Sequence, residues 1–271
     1  MGEKTMLRAV VLSQEMIAEQ IYSMWLSAES IACSAVPGQF VSVYSNDTGR
    51  MLPRPISICE TDKERGALRL VYRVAGKGTT EFAACQPGDT LNLLGPLGNG
   101  FPLERCPEGK TAFLIGGGIG LPPMVEISKQ IRGKVQVIAG YRDELFLTEE
   151  LAANGQLYLS AESEALTASY TRSHGQGSIT HGNVLDCIRE NQLQADVLYA
   201  CGPTPMLRAV KAYALEHGIE CWLSLEERMA CGIGACLACV CESAEKEAHS
   251  QVKNKRICKE GPVFAADEIV L

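Results

Sequence analysis

Four cysteines crowd into eleven residues of this 271-residue chain, within the stretch MACGIGACLACVC from Met229 to Cys241. Thiolates bind zinc and iron strongly, so their spacing carries information. Cys231-x4-Cys236-x2-Cys239, followed later by Cys258, has the order of plant-type [2Fe–2S] sites. Two irons need four thiolates wrapped closely around them. Gly232 and Gly234 let the backbone curl toward the inorganic sulfurs and take the positive φ this can demand. Cys241 competes with Cys258 as the fourth ligand, because in an extended segment it shares a face with Cys239. Cys258 is preferred, since a hairpin returning to the site encloses it better. Zinc usually takes paired C-x2-4-C knuckles, and only Cys236 with Cys239 makes a good one, so a structural zinc site and unliganded cysteines stand behind the cluster as readings. Cys33, Cys59, Cys85, Cys106, Cys187 and Cys221 have no such spacing and are expected to be small buried hydrophobes.

A one-electron centre needs something to exchange electrons with. RPISIC offers Arg54, Pro55, Ile56 and Ser57: an arginine neutralises a phosphate, and a serine hydroxyl or nearby N–H can reach a flavin ring nitrogen. A turn before a strand, with Arg54 on the surface, explains the same residues. VYRVAGKGTTEF adds Val71, an aromatic ring for stacking in Tyr72, and Arg73. It continues into a turn with Gly78 and Thr79 whose N–H groups can cradle a pyrophosphate at a helix start. LIGGGIGLPPM sets Gly117 and Gly118 between an apolar strand and a helix, where a parallel sheet binds a dinucleotide. It departs from G-x-G-x-x-G because Leu121 replaces the third glycine, and a ligand-free tight turn is the competing explanation. YACGPTPM ends another strand and brings Cys201 and Gly202 to the same edge, where Cys201 either lies against a nicotinamide ring or simply packs. In AGYRDELF, Arg142 suits a 2′-phosphate whereas Asp143 or Glu144 suits a ribose hydroxyl, so these residues do not decide between NAD and NADP. His174, His181, His217 and His249 form no constellation and read as solvated or core histidines.

These residues need elements to hold them. Up to residue 105, strand-like runs (GQFVSVYS, ALRLVYRV, DTLNLLG) alternate with turn signals and predict a compact β domain of barrel type. From 106 to 218, apolar runs followed by helical patterns predict an α/β domain with a covered parallel sheet. Within it Thr204 is expected to cap a helix starting at Pro205 and ending at Gly218. Residues 219–271 carry the cysteines and little periodicity, and are expected to form a small third unit tied together by its metal centre. A hydrophobic fraction of 46% with 21% charged residues is globular composition, and a net charge of −7 argues against a nucleic-acid surface. Acidic residues interrupt the first twenty positions and no long apolar window follows. The expectation is a cytoplasmic chain without a signal peptide or membrane span, in a compartment where clustered cysteines bind metal.

Taken in order over residues 6–270, the motifs RPIS, YRV, GKGT, GPLGNGF, GGGIG, CGP and EERMACGIGACLAC resemble the ferredoxin reductase-like superfamily. Within it the chain is most similar to electron-transfer subunits of NAD-dependent (class 1B) dihydroorotate dehydrogenases. The resemblance implies FAD bound by Arg54, Pro55, Ile56, Ser57, Val71, Tyr72, Arg73, Gly78 and Thr79, with Cys231, Cys236, Cys239 and Cys258 as cluster ligands. The three segments become an FAD-binding β-barrel domain, an NAD-binding α/β domain and a [2Fe–2S] unit. It further implies an FMN-containing catalytic subunit as partner, in a two-plus-two heterotetramer. That subunit would oxidise dihydroorotate, and electrons would pass through the cluster and FAD to NAD+, in de novo pyrimidine biosynthesis. No acid, base or nucleophile is required of this chain. The small subunits of NADH-dependent ferredoxin:NADP oxidoreductases and sulfide dehydrogenases look similar, but usually carry aspartate where this chain has Cys231. A cluster-based redox sensor is the alternative from another class, and turnover of NADH with an artificial acceptor separates it from an enzyme.

Overall fold

The computed structural model describes residues 4–246 and 251–271, so His249 and part of the loop before Cys258 lie outside the described residues. The chain divides into two compact units, Met1–Gly100 with Leu225–Val270, and Phe101–Ser224. The cysteine segment, expected as a third body, therefore folds with the barrel.

The first unit is built on β1 (Thr5–Ala18), β2 (Ile21–Ser27), α1 (Glu29–Ser34), β3 (Phe40–Tyr44), β4 (Arg54–Asp62), β5 (Ala67–Arg73), α2 (Lys77–Ala83) and β6 (Thr90–Leu97). The strands close into a barrel in the order β1-β2-β5-β4-β3-β6, with antiparallel pairing. Closure removes exposed edges. Alternation along the strands sends Val41, Val43, Ile56, Leu68, Leu70 and Leu93 into one core. Gln14 anchors the end of α2. Its Nε2 donates to the carbonyls of Phe82, Ala83 and Cys85 at 2.9–3.0 Å, and its Oε1 accepts from the Tyr72 hydroxyl at 3.0 Å. The last carbonyls of a helix lack intrahelical donors, and one amide here draws three carbonyls together around that end.

The second unit comprises β7 (Thr111–Gly117), α3 (Pro122–Gln130), β8 (Lys134–Tyr141), α4 (Thr148–Ala152), β9 (Gln156–Ala161), α5 (Glu164–His174), β10 (Thr180–His181), α6 (Val184–Glu190), β11 (Val197–Cys201), α7 (Thr204–His217) and β12 (Glu220–Ser224). Its strands pair in parallel in the order β10-β9-β8-β7-β11-β12. The chain winds outward from β7 in one direction, then returns to continue on its other side. That reversal is where open α/β sheets bind ligands. Two local expectations are corrected. Thr204 is inside α7 rather than its cap, which falls at Pro203 without a side-chain hydrogen bond; Gly218, at φ 64°, ends the helix as expected. Residues 220–224, assigned from sequence to the cysteine segment, are a strand of this sheet.

Past β12 the chain forms the β13 (Val240–Glu242) and β14 (Asn254–Arg256) hairpin and the short β15 (Val263–Ala265). Asn99 joins this segment to the barrel. Its Nδ2 donates to the carbonyls of Glu260 and Val263 at 3.1 and 2.7 Å, its Oδ1 accepts from Val263 N at 2.9 Å, and its own N–H donates to Gly261 O at 2.7 Å. Of the cysteines without ligand spacing, Cys59, Cys85, Cys106, Cys187 and Cys221 are buried. Cys33 is exposed, because α1 turns Ile31 and Ala32 inward and leaves Cys33 on its outer face.

Candidate functional site

The loop after Met229 coils because Gly232 and Gly234 sit at φ 68° and 85°, where a side chain would be strained. The coil aims N–H groups at sulfur: Ala235 N donates to Cys231 Sγ at 3.3 Å and Ile233 N at 3.5 Å. Burial opposes ionisation of Cys231, but bonds from Ile233, Cys236 and Ala235 outweigh it and bring the thiol down to about 6. Across the site, burial and the neighbouring Cys239 push the Cys258 thiol up to about 12. Cys236 lies close enough to Cys231 to influence its ionisation, and Cys239 close enough to Cys258 to influence that of Cys258. Among the described residues no three His, Cys, Asp or Glu side chains gather as ligands of a single ion. Four cysteines that come together two and two suit a two-iron cluster better than a single ion, and the N–H donors suit its sulfur charge. The donor set therefore fits [2Fe–2S].

Cys241 points elsewhere. On β13 it stands opposite Lys255 and its thiol donates to the Lys255 carbonyl at 3.6 Å, whereas Ile257 N donates to Cys239 O at 2.8 Å and draws Cys258 inward. Arg256 fixes the hairpin to the loop. It donates to Gly234 O at 3.1 Å and to both carboxylate oxygens of Glu260.

On the barrel, two motifs far apart in sequence meet. A Cβ on Gly78 would lie 2.2 Å from Arg54 Nε and 2.5 Å from its Cζ, so the guanidinium occupies the space over the first turn of α2. Arg54 also donates to the Leu52 carbonyl. Thr79 Oγ1 accepts from Ala75 N at 2.9 Å and Gly76 N at 3.2 Å, which holds the turn into the helix. The helix start leaves N–H groups without intrahelical acceptors beside a cation, a fit for a pyrophosphate. Glu81 on the same helix accepts from the Ser45 hydroxyl, Asn46 N and Arg50, and secures the 45–50 loop. Pro55 and Ser57 stand opposite Ser42 and Phe40 on β3, while Ile56 joins the core. The stacking role expected of Tyr72 is corrected: its ring lies inside the barrel, parallel to Tyr22 at 6.1 Å and edge-on to Phe82, because it follows the inward alternation of Leu68 and Leu70. Any contact from Tyr72 to a cofactor outside the barrel is through its backbone.

In the α/β unit, the ends of β7 and β11 touch. A Cβ on Gly120 would come within 2.2 Å of Cys201 O, and one on Gly202 within 3.1 Å of Gly117 N. Gly117 lies against Met206 and Pro203, while Gly118, at φ 52°, faces open space and leaves backbone accessible. Leu121 is fully buried with its Cα 3.0 Å from where a Cβ of Gly116 would be. The close helix-to-strand approach that a third motif glycine normally permits is provided by Gly116 on the strand. Sequence reasoning misses Gly116 and Gly120; the tripled glycine before Ile119 is the signal that could have found the first of them. Arg142, Asp143 and Glu144 are all exposed just past β8, so the structure leaves their competition as it was.

Comparison with known proteins accords with this layout. Residues 8–101 match the oxidoreductase FAD-binding domain, and residues 226–270 match the iron-sulfur cluster binding domain of dihydroorotate dehydrogenase B. Barrel and cysteine segment thus define an oxidoreductase of the FAD-binding and iron–sulfur class. A solved NADH-dependent reduced ferredoxin-NADP oxidoreductase superposes with a TM-score of 0.82 at 25% identity, over 97% of this chain and 89% of that one. The dihydroorotate dehydrogenase B (NAD(+)) electron transfer subunits of Bacillus caldolyticus and Geobacillus kaustophilus (strain HTA426) are each 44% identical over 270 residues, covering 97% of this chain and 98% of theirs. The chain belongs to the family of dihydroorotate dehydrogenase B electron transfer subunits. Among the described residues no helix is long and apolar enough to cross a membrane.

Proposed function

We propose that this chain carries electrons from an FMN-containing dihydroorotate dehydrogenase subunit to NAD+, in de novo pyrimidine biosynthesis in the cytoplasm. The cysteine segment takes them up singly and the α/β unit presents the acceptor. When bound, the [2Fe–2S] centre supplies one-electron exchange and FAD converts between single electrons and hydride. The chain's own residues bind and position. Cys231, Cys236, Cys239 and Cys258 hold the cluster. Arg54 and the N–H groups at Gly78 and Thr79 hold the FAD pyrophosphate, and Pro55, Ser57, Val71 and Arg73 line the flavin along β4 and β5, with Ile56 and Tyr72 contributing through their backbone. Gly117, Gly118, Cys201 and Gly202 form the rim for NAD. Functionally, the barrel acts as the FAD segment, the α/β unit as the NAD segment and the cysteine-bearing residues after β12 as the cluster segment.

One observation carries this reading. Gly232, next to Cys231, packs on Ser42 of β3, and Ser42 stands opposite Pro55 of β4. The cluster loop is thus seated on β3, the strand paired with the flavin strand β4, within one compact unit, which favours direct transfer. Ile233, Leu237 and Val240 are exposed on the cysteine segment and suit a protein partner; a two-plus-two assembly is the expected stoichiometry. Co-expression with the FMN subunit and size-exclusion chromatography test it, coupled to dihydroorotate-dependent NAD+ reduction. Co-elution, activity, and a higher kcat/KM for NADH than for NADPH are expected. Separate elution with no NADH formed, each protein keeping its cofactors, would replace this reading with the ferredoxin-linked one that the fold likeness also permits.

A further inference from the structure

Ser42 lies between the two redox sites and has no structural employment. Its neighbours Val41 and Val43 point into the barrel core, so Ser42 faces outward on β3, yet it is fully buried. Its Oγ has no hydrogen-bond partner among the described residues. A buried hydroxyl left unpaired is unfavourable, and such a group asks for an explanation. What covers it is the cluster loop. A Cβ on Gly232 would lie 2.8 Å from Ser42 Oγ and 3.2 Å from Leu97 Cδ1, so only glycine lets the backbone settle there. Gly232 closes the hydroxyl off, and as the chain stands no neighbour bonds it. The acceptor next to Gly232 is Cys231, whose sulfur draws N–H donors from Ile233 and Ala235.

Resting on the cluster assignment above, we propose that Ser42 is a positioning residue whose hydroxyl donates a hydrogen bond to the Cys231 sulfur in the loaded protein and raises the cluster's reduction potential. A thiolate bound to iron carries more negative charge than a thiol and accepts more strongly. Donors to cluster sulfurs favour the reduced, more negative state, and hydrogen bonding to sulfur is a principal control of cluster potential.

The test is Ser42→Ala in the chain loaded with FAD and cluster, read by EPR-monitored potentiometry, with flavin absorbance followed in parallel. The reduction constant of the cluster should fall about tenfold, equivalent to about 59 mV for a one-electron couple, with iron content and flavin potential unchanged. The apoprotein variant should melt no lower than wild type, because the hydroxyl has no partner there to lose. Ser42→Thr, which keeps a hydroxyl, should retain the wild-type potential. An unchanged cluster potential in the alanine variant overturns the proposal. So does a shift in the flavin potential alone, which would assign the hydroxyl to the flavin, or an alanine variant that folds but cannot hold iron, which would make the role structural. Wild-type protein without an iron–sulfur EPR signal would overturn the cluster assignment itself, before any substitution is made.

Discussion

Substituting Gly78 should separate folding from cofactor binding. Alanine there would place Cβ 2.2 Å from Arg54 Nε, 2.5 Å from Cζ and 2.7 Å from Nη2. The obstruction is the far end of a flexible side chain, so the guanidinium can swing away. Alanine in place of glycine in a helix gains at most about 1 kcal/mol, and the variant should melt at or slightly above the wild-type temperature. The displaced guanidinium, however, no longer covers the first turn of α2. Hydrogen bonds to charged groups contribute about 1.5–3 kcal/mol, and about 1.4 kcal/mol is a factor of ten. FAD should therefore bind about 10- to 100-fold more weakly, measured by flavin fluorescence on titrating apoprotein. Arg54→Ala should lose a similar amount, and the double variant little more, because both act through one group. Unaltered FAD affinity in a folded Gly78→Ala protein would refute the argument, as would additive losses in the double variant.

Other substitutions address the remaining sites. Cys258→Ser should abolish or strongly alter the cluster's EPR signal and Cys241→Ser should leave it nearly unchanged; the reverse result reassigns the fourth ligand. Gly120→Ala meets backbone, 2.2 Å from Cys201 O and 2.6 Å from Gly202 N, and cannot be relieved by a rotamer. It should cost about 1–3 kcal/mol of stability and raise the KM for NADH, and a normal melt with a normal KM would count against the paired strand ends. Burial disfavours the charge on Glu81, but Ser45, Asn46 and Arg50 outweigh it and hold its carboxyl below the ordinary glutamate range. Its contribution to stability is present above that range and is lost as pH falls through the lowered folded value. Melting temperatures of wild type and Glu81→Gln should therefore differ near neutrality, and the gap should shrink as pH falls below the ordinary glutamate range; a gap that stays constant on acidification would contradict this.

Much of this architecture is legible in the residues. ALRLVYRV alternates with period two and becomes β5, and the cysteine spacing is a local code that survives without knowledge of the fold. Other features are written only across distance. Ser42 is an unremarked serine inside a β run until Gly232, nearly two hundred positions later, settles on it. Gly78 reads as part of a phosphate turn, but its occupation by Arg54 depends on how β4 and α2 converge. The exchange of roles between Leu121 and Gly116 defeats a motif template because the template records positions whereas packing requires only that one partner be small. Tyr72 misleads for a related reason: an aromatic beside an arginine suggests a ligand, yet strand parity turns it inward. The helix α6 has its own signal, Asn183 Oδ1 accepting from the N–H groups of Leu185 and Asp186 while the Asp186 carboxylate accepts from Asn183 N. That pattern is a capping box.

The clasp of Asn99 on residues 260–263 has a consequence for the order of events at the ribosome. The compact unit it completes is interrupted by residues 101–224, so the barrel emerges well before the segment that covers one of its faces. At about 5–20 residues per second, the intervening stretch of roughly 120 residues imposes a delay of about 6–25 s. During that interval the outward face around Ser42 and Leu97 is bare, and the asparagine amide has only water for company. Cluster loading on residues 226–270 must follow that delay, while all six barrel strands are complete before it. Biogenesis is therefore ordered by the chain itself, with FAD able to dock on a nascent barrel and the metal centre assembled afterwards.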